Sequence, residues 1–314
     1  MTQEALLEEY SKHMQAQSYA LGTIQAYQKA VRVFFRFLLI EKNLQRIQDT
    51  TKESLRDYQS KLYQEKRKKD NKPLSLGARA RALIALKHFF KFLVKRQVIL
   101  YNPASDIELP RLRKDTLRQT LKEHEMKKIL NVPKNRYEGI QSRDRAILEL
   151  LYSTGIRNTE LRLLKAGDID LERQEVRILH GKGYFGKKER LLPLGRIAAA
   201  VLEDYLISTR PKFLKNNSSD LFFVTKNGRP LRIGLLNQIV KRAGRLAGLK
   251  VNVFPHLIRH SFATHLLKHG CDIRHVQAML GHESLDSTKI YTHVEISDLK
   301  KIHRKTHPRE KTRQ

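Results

Sequence analysis

Through most of the first hundred positions, apolar residues recur at steps of three and four, the spacing of one buried helix face. Ile24, Tyr27, Val31, Phe34, Phe35 and Leu38 form one such stripe. Leu55, Tyr58 and Leu62 form another, after the capping-box pair Thr50 and Glu53. The lysine-rich run from Lys66 to Pro73 breaks the pattern and reads as a loop. Ser75 then opens a helix carrying Leu83, Leu86, Phe89, Phe90 and Leu93, and Asn102-Pro103 ends the region. The pattern predicts four helices joined by short polar loops.

Periodicity is weak from Ala104 to Gln119, with Leu109-Pro110-Arg111 in its middle. That sets a helical domain at 1–108 and a linker at 109–119, whose Arg111, Arg113, Lys114 and Arg118 could either follow a polyanion or face solvent. A second domain follows at 120–299. Thr120 and Glu123 form another capping-box pair, and a helix through Ala146 to Leu151 is expected to stop at Gly155. Glu175 to Leu179 and Arg190 to Leu194 are short apolar-rich runs that flank a basic turn, Gly181 to Lys188, which is a hairpin signal. Leu221 to Thr225 reads as a strand closed by the tight turn Asn227-Gly228. From Ile233 onward the pattern is helical almost to the end. The predicted fold class is mainly α with a small antiparallel β-sheet. The last segment, 300–314, carries seven lysines and arginines against Glu310 alone and reads as a solvated, frayed tail; docking onto nucleic acid or a neighbouring subunit is the sharper alternative.

Charge narrows the partner. The chain has 62 Lys and Arg against 32 Asp and Glu, a net charge of +30 over 314 residues. A field of that size attracts polyanions, and counterion release makes nucleic acid the leading candidate over an anionic membrane surface. No apolar run is long enough to span a bilayer, and an acid near the N-terminus stands where a signal peptide would be basic. The single cysteine, Cys271, cannot form an internal disulfide, which fits a reducing cytoplasm, and it reads as a small packing residue; a partner such as DNA would place the chain beside the nucleoid.

Several polar residues of the second domain stand where they can do chemistry. Arg157 falls at a turn between helices, with Asn158 as candidate cap, beside free backbone amides that suit an anion. Pro255 marks a helix start, and the three-residue step puts His256 and Arg259 on one face, with Leu257, Phe262, Leu266 and Leu267 as apolar packing. A helix ending at Gly281 would present His282 on the following loop, and Tyr291 comes shortly after. Two guanidiniums can hold the non-bridging oxygens of a phosphodiester as negative charge builds in transit. A phenol helped by a base can attack the phosphorus, and a lysine or histidine can protonate the departing sugar oxygen. No metal and no cofactor is required. The spaced histidines His256 and His260, and His265 and His269, lack a nearby cysteine or carboxylate to complete a metal site; His260 and His265 read as structural.

The order Arg157, Lys182, His256, Arg259, His282, Tyr291 resembles the tyrosine recombinase (phage integrase) family, in its Xer and integron-integrase branch. The local words are similar too: Thr154-Gly155-Ile156-Arg157 with Glu160-Leu161, His256 through His265, Leu280-Gly281-His282, and Tyr291-Thr292-His293-Val294. The resemblance covers nearly the whole chain. It implies a two-domain clamp around double-stranded DNA, with an N-terminal core-binding domain and a C-terminal catalytic domain, working as a homo-tetramer on two duplexes, alone or with a second recombinase. It implies that Arg157 and Arg259 hold the scissile phosphate, that Lys182 protonates the leaving 5′-oxygen, and that His256 accepts a proton or binds the phosphate. His282 would donate a further hydrogen bond, Tyr291 would form a 3′-phosphotyrosyl link, and Glu160 would orient the cations. The family's turn runs G-K-G-x-K-E-R; here Tyr184-Phe185-Gly186 is extra, which leaves Lys182, Lys187 and Lys188 as candidates for the acid, Lys182 favoured by its Gly-Lys-Gly setting. Two other readings share parts of this pattern: a type IB topoisomerase-like enzyme and a non-catalytic DNA-binding regulator.

Overall fold

The computed structural model describes residues 2–66, 71–110, 119–132, 138–179, 189–215, 218–281 and 296–310. Among them the chain divides into two compact units, one holding residues 2–110 and the other 119–310. The fold is mainly helical with one small antiparallel sheet, the class that the hydrophobic pattern predicts.

The first unit is built from α1 (Gln3–Ala16), α2 (Leu21–Glu41), α3 (Lys52–Gln64) and α4 (Leu76–Lys95). Every stripe residue named from the pattern is buried except Tyr27, which is half-buried. The core is unusually aromatic: Phe34 meets Tyr58 and Phe90 edge-on, and Phe89 meets Tyr10 and Phe35 in the same way. Ser75 caps α4, its hydroxyl accepting from the Ala78 N–H at 3.2 Å. The cap of α3 falls one residue later than the sequence suggests. The Thr50 N–H donates to Ile47 O and closes the preceding turn, so Thr51 takes over and accepts from the Ser54 N–H. Ala104 and Ile107 are buried in this same core, so the aperiodic stretch begins as part of the unit. The basic linker residues Arg111, Arg113, Lys114 and Arg118 lie outside the described residues.

The second unit opens with α5 (Glu123–Leu130), α6 (Glu138–Thr154) and α7 (Asn158–Leu163). Then come β1 (Ile169–Asp170), β2 (Glu175–Ile178) and β3 (Arg190–Pro193), in the order β1-β2-β3. The hairpin register pairs Val176 with Leu192 and Ile178 with Arg190. The chain goes on through α8 (Arg196–Asp204), α9 (Arg210–Leu214), α10 (Ile233–Leu246), α11 (Pro255–Lys268), α12 (Ile273–Leu280) and α13 (Ile296–Thr306).

Three expectations are corrected here. The Thr120–Glu123 capping box does not form. Leu121 is tied to α11 on both sides, its N–H donating to Ser261 Oγ at 2.8 Å and its carbonyl accepting from His265 Nε2 at 2.8 Å. The helix therefore starts at Glu123, with the Lys122 N–H donating to Glu125 Oε2. Leu221 to Thr225 is not a strand but makes only isolated bridges, Lys165 with Leu221 and Val224 with Pro230. Proline has no N–H, so pairing cannot extend past it. The turn itself is present, with Gly228 at φ +71° and its N–H donating to Thr225 O. Leu267 is 41% exposed, and Ile258 is buried on α11 instead.

Residues 300–310 are not a frayed tail. His303 and His307 are fully buried, their rings stacked 4.6 Å apart. His303 Nε2 donates to Ser153 O at 2.8 Å and His307 Nε2 to Tyr152 O at 3.0 Å, so both rings dock on the end of α6. Arg309 reaches the buried Glu149 at 2.5 Å, and Glu310 accepts from the Arg196 N–H at 2.9 Å. The basic composition hides this anchor because the contacts are made by histidines and by one arginine facing a buried carboxylate.

Burial holds both histidines below the ordinary value of 6.5, His307 well below it, with His303 adding a like charge to His307. The unfolded chain therefore binds protons that the folded pocket refuses, and stability is lost as pH falls below 6.5. The double variant His303→Gln/His307→Gln is expected to melt lower at neutral pH but with a shallower loss on acidification. Equal slopes for variant and wild type, in thermal melts across the acid range, would contradict this.

Candidate functional site

The site grows from a sharp corner. Gly155 ends α6 with φ +61°, a conformation in which L side chains are strained. A Cβ there would stand 2.5 Å from the Phe262 ring and 3.0 Å from Leu280, so the corner packs directly on α11 and α12. Arg157 follows as the cap residue of α7, and its N–H donates to Glu160 Oε2 at 2.9 Å. The capping role thus falls on Arg157 and Glu160, with Asn158 one position inside the helix.

Pro255 begins α11 with the fixed φ suited to a first helical turn, and His256 and Arg259 project from that turn. Arg259 is buried. Its Nη1 donates to Gly155 O and its Nη2 to Leu280 O, each at 2.6 Å. Arg157 Nη2 donates to Gly281 O, also at 2.6 Å, and its Nη1 to Glu160 Oε1 at 2.8 Å. A third guanidinium joins from the hairpin. Arg190 Nε donates to Met279 O at 3.2 Å, while its Nη1 and Nη2 donate to Glu160 Oε1 and Oε2 at 3.1 and 2.7 Å.

Three consecutive carbonyls at the end of α12, those of Met279, Leu280 and Gly281, thus each accept from a different arginine. A helix C-terminus carries unsatisfied carbonyls and partial negative charge, so cations are at home there. Gly281 makes the crowding feasible: it adopts αL geometry at φ +61°, and a Cβ would stand 3.0 Å from the Arg190 guanidinium.

The charge balance is uneven by design of the residues. Three guanidiniums surround one carboxylate, Glu160, whose side chain is only 1% exposed. Burial alone would raise Glu160, but the hydrogen bonds and charge of Arg190 and then of Arg157 hold it below the usual carboxylate range. Burial, then the charge of Arg157, pulls Arg259 down to about 10, which leaves it cationic at neutral pH. His256 stands at the solvent edge. Desolvation first, then Arg259 and Arg157, lower its pKa, so at neutral pH it is an uncharged imidazole able to accept a proton. Each guanidinium has five N–H donors. Two on Arg157 and two on Arg259 are taken by described residues, and no described residue takes the others.

Of the residues expected from the sequence, Arg157, Glu160, His256 and Arg259 converge. Lys182, His282 and Tyr291, with the alternatives Lys187 and Lys188, lie outside the described residues. In the sequence, Lys182, Lys187 and Lys188 lie between β2 and β3, and His282 and Tyr291 follow Gly281. From the sequence alone, Arg190 is only the first residue of a strand. Its signal was the Lys-Glu-Arg word that closes the hairpin turn. His265 is structural, as expected: its Nδ1 accepts from the Tyr152 hydroxyl at 2.8 Å. His269 turns instead to Glu123 at 2.9 Å.

A family model described as the phage integrase family matches residues 119–297, and one described as the phage integrase N-terminal SAM-like domain matches 7–97. The chain is 40% identical over 292 residues to tyrosine recombinase XerC 2 of Ralstonia nicotianae, covering 92% of this chain and 82% of that one. It is 34% identical over 288 residues to tyrosine recombinase XerD of Halalkalibacterium halodurans, covering 92% of each. A crystal structure of the XerH site-specific recombinase bound to palindromic difH substrate, a post-cleavage complex, is similar with a TM-score of 0.69. That likeness has 26% identity and covers 95% of this chain and 83% of that one.

Gly155→Ala tests the corner. Forcing a methyl group into φ +61° against Phe262 is expected to cost about 2–4 kcal/mol, from left-handed strain plus overpacking. A chemical melt within about 0.5 kcal/mol of wild type, the range of an ordinary surface change, would show that the corner is not tight.

Proposed function

The chain belongs to the phage integrase family of tyrosine recombinases, and from that premise we propose that Arg157, Lys182, His256, Arg259, His282 and Tyr291 form its strand-transfer centre. The protein is a site-specific recombinase, an enzyme that cuts and rejoins DNA strands.

The convergence of Arg157 and Arg259 on the last carbonyls before His282 is the observation that supports this reading best. Both guanidiniums are fixed by the fold before substrate arrives, so little reorganisation is needed when charge develops. Their remaining N–H groups hold the two non-bridging oxygens of the scissile phosphate. The Tyr291 oxygen forms the new bond to phosphorus as its proton passes to a base, for which uncharged His256 is suited. The bond from phosphorus to the 5′-oxygen breaks, and Lys182, ahead of Lys187 and Lys188, supplies that oxygen's proton. His282 donates a further hydrogen bond to the phosphate, and Glu160 orients the arginines. A 3′-phosphotyrosyl bond and a free 5′-hydroxyl result. The number of phosphoester bonds is unchanged, so a 5′-hydroxyl from another duplex reverses the step without ATP.

Residues 1–108 serve as the core-binding domain, 109–119 as the linker and 120–299 as the catalytic domain, to which the docked residues 300–310 also belong. The two domains clamp a double-stranded site with paired half-sites. A homo-tetramer, alone or with a second recombinase, brings two duplexes together. Among the described residues no helix is long and apolar enough to cross a membrane, and a cytoplasmic place beside the nucleoid suits the substrate.

A nicked suicide substrate tests the reaction. Wild type is expected to leave a covalent protein–DNA adduct, and Tyr291→Phe to bind the same DNA without one. An adduct at wild-type yield from Tyr291→Phe would place the nucleophile elsewhere. New junctions between two sites distinguish recombination from relaxation of one duplex. Affinity is also expected to fall steeply with salt, by about 0.9 log unit per log unit of salt for each phosphate contacted. A flat salt response would show that the excess of positive charge does not face DNA.

A further inference from the structure

Glu160 does two jobs that conflict. Its carboxylate accepts the Arg157 backbone N–H and so fixes the corner from which Arg157 projects. The same carboxylate also bonds the Arg157 guanidinium at 2.8 Å. A buried anion that close, in surroundings that screen poorly, would neutralise the cation just where a phosphate needs it.

Arg190 stands where it relieves that conflict. It takes both Glu160 oxygens with a two-pronged pair of hydrogen bonds, whereas the Arg157 side chain takes one. Two-pronged guanidinium–carboxylate contacts are the stronger kind. Arg190 is itself held in place, with its side chain 14% exposed, Nε on Met279 O and its plane against Gly281, which has no side chain to push it away. We propose that Arg190 is a positioning residue for strand transfer, taking up the charge of Glu160 so that Arg157 keeps its own for the scissile phosphate. This rests on the reading that Arg157 and Arg259 hold that phosphate.

The count of charges fits. Arg157, Arg190 and Arg259 against Glu160 leave an excess of two positive charges. A phosphodiester carries one negative charge in the ground state and approaches two as a fifth oxygen adds. Among these four described groups, loss of Arg190 halves the positive excess and so takes away most where the charge on phosphorus is largest, in the transition state. Loss of Arg190 therefore slows the chemical step more than it weakens binding. It also removes the first force that holds Glu160 below the usual range, so burial raises its pKa above that in wild type. Among the described residues, the charged groups facing Glu160 are Arg157 from the corner, Arg190 from β3 and Arg259 from α11, with the titratable His256 beside Arg259 on α11.

Single-turnover cleavage of the suicide substrate, with full-length enzyme in excess, tests the idea. Arg190→Met is expected to cut about a hundredfold more slowly, as for a misplaced reacting group, while DNA affinity changes little. Adding Glu160→Gln removes the stranded anion, and the double variant is expected to be faster than Arg190→Met alone. That advantage should shrink toward none as pH is lowered, because a protonated Glu160 already does what glutamine does. Arg190→Lys, which keeps the charge without the two-pronged fit, is expected to fall between wild type and Arg190→Met. The proposal is overturned if the double variant is no faster than Arg190→Met, if its advantage is the same at every pH, or if a folded Arg190→Lys is as slow as Arg190→Met. Should Arg190→Met fail to fold, the lysine variant and the double variant, each checked by melting and DNA affinity, still decide. Wild type forming no adduct would refute the strand-transfer reading itself, an outcome separate from all of these.

Discussion

One short helix ends against three arginines, and much of the second unit is arranged around that contact. The carbonyls of Met279, Leu280 and Gly281 need donors, and the fold supplies them from the hairpin, from α11 and from the α6–α7 corner. Three cations cannot be gathered in a partly buried place without an anion, and Glu160 is that anion. The corner then has to be tight, which requires glycine at 155, and the helix has to end in a left-handed residue, which requires glycine at 281. Sequence words that look like separate motifs are parts of one electrostatic contact.

That contact also holds the residue from which the next segment starts. Gly281 is held by Arg157, and the stretch with His282 and Tyr291 starts from it. Fifteen residues after Gly281 comes α13, and His303 and His307 dock on the end of α6. The segment with the proposed nucleophile is therefore anchored at both ends to the same helix system: upstream to the arginine cluster, and downstream to the last turn of α6 just before Gly155.

Much of the fold was legible because burial follows period. The stripes on α2, α3 and α4 and the apolar face of α11 are buried in the places that their spacing predicts, Tyr27 and Leu267 apart. Features set by tertiary contacts were not legible. Leu121 delays α5 because Ser261 and His265, far along the chain, claim its backbone. Pro230 limits the bridge at Val224 because its ring has no N–H to give. The docked end of the chain was hidden because a count of charges cannot see two neutral histidines or a carboxylate buried on another helix. In the site, Arg157, Glu160, His256 and Arg259 could be named from their order and residue types. The Lys-Glu-Arg word marks Arg190, but not its role, because an arginine opening a strand announces no partner until the fold brings Glu160 to it.

The central claim is that Arg157 and Arg259 share one phosphate while the frame around them stays in place. The most direct measurement is a crystal structure of the enzyme on its DNA site with vanadate bridging the strand break as a mimic of the five-coordinate phosphorus. The account predicts both guanidiniums within hydrogen-bond distance of the two non-bridging oxygens, with the Tyr291 oxygen in line and Arg190 still on Glu160. Vanadate bound away from the two guanidiniums, or reached by only one of them, would contradict it.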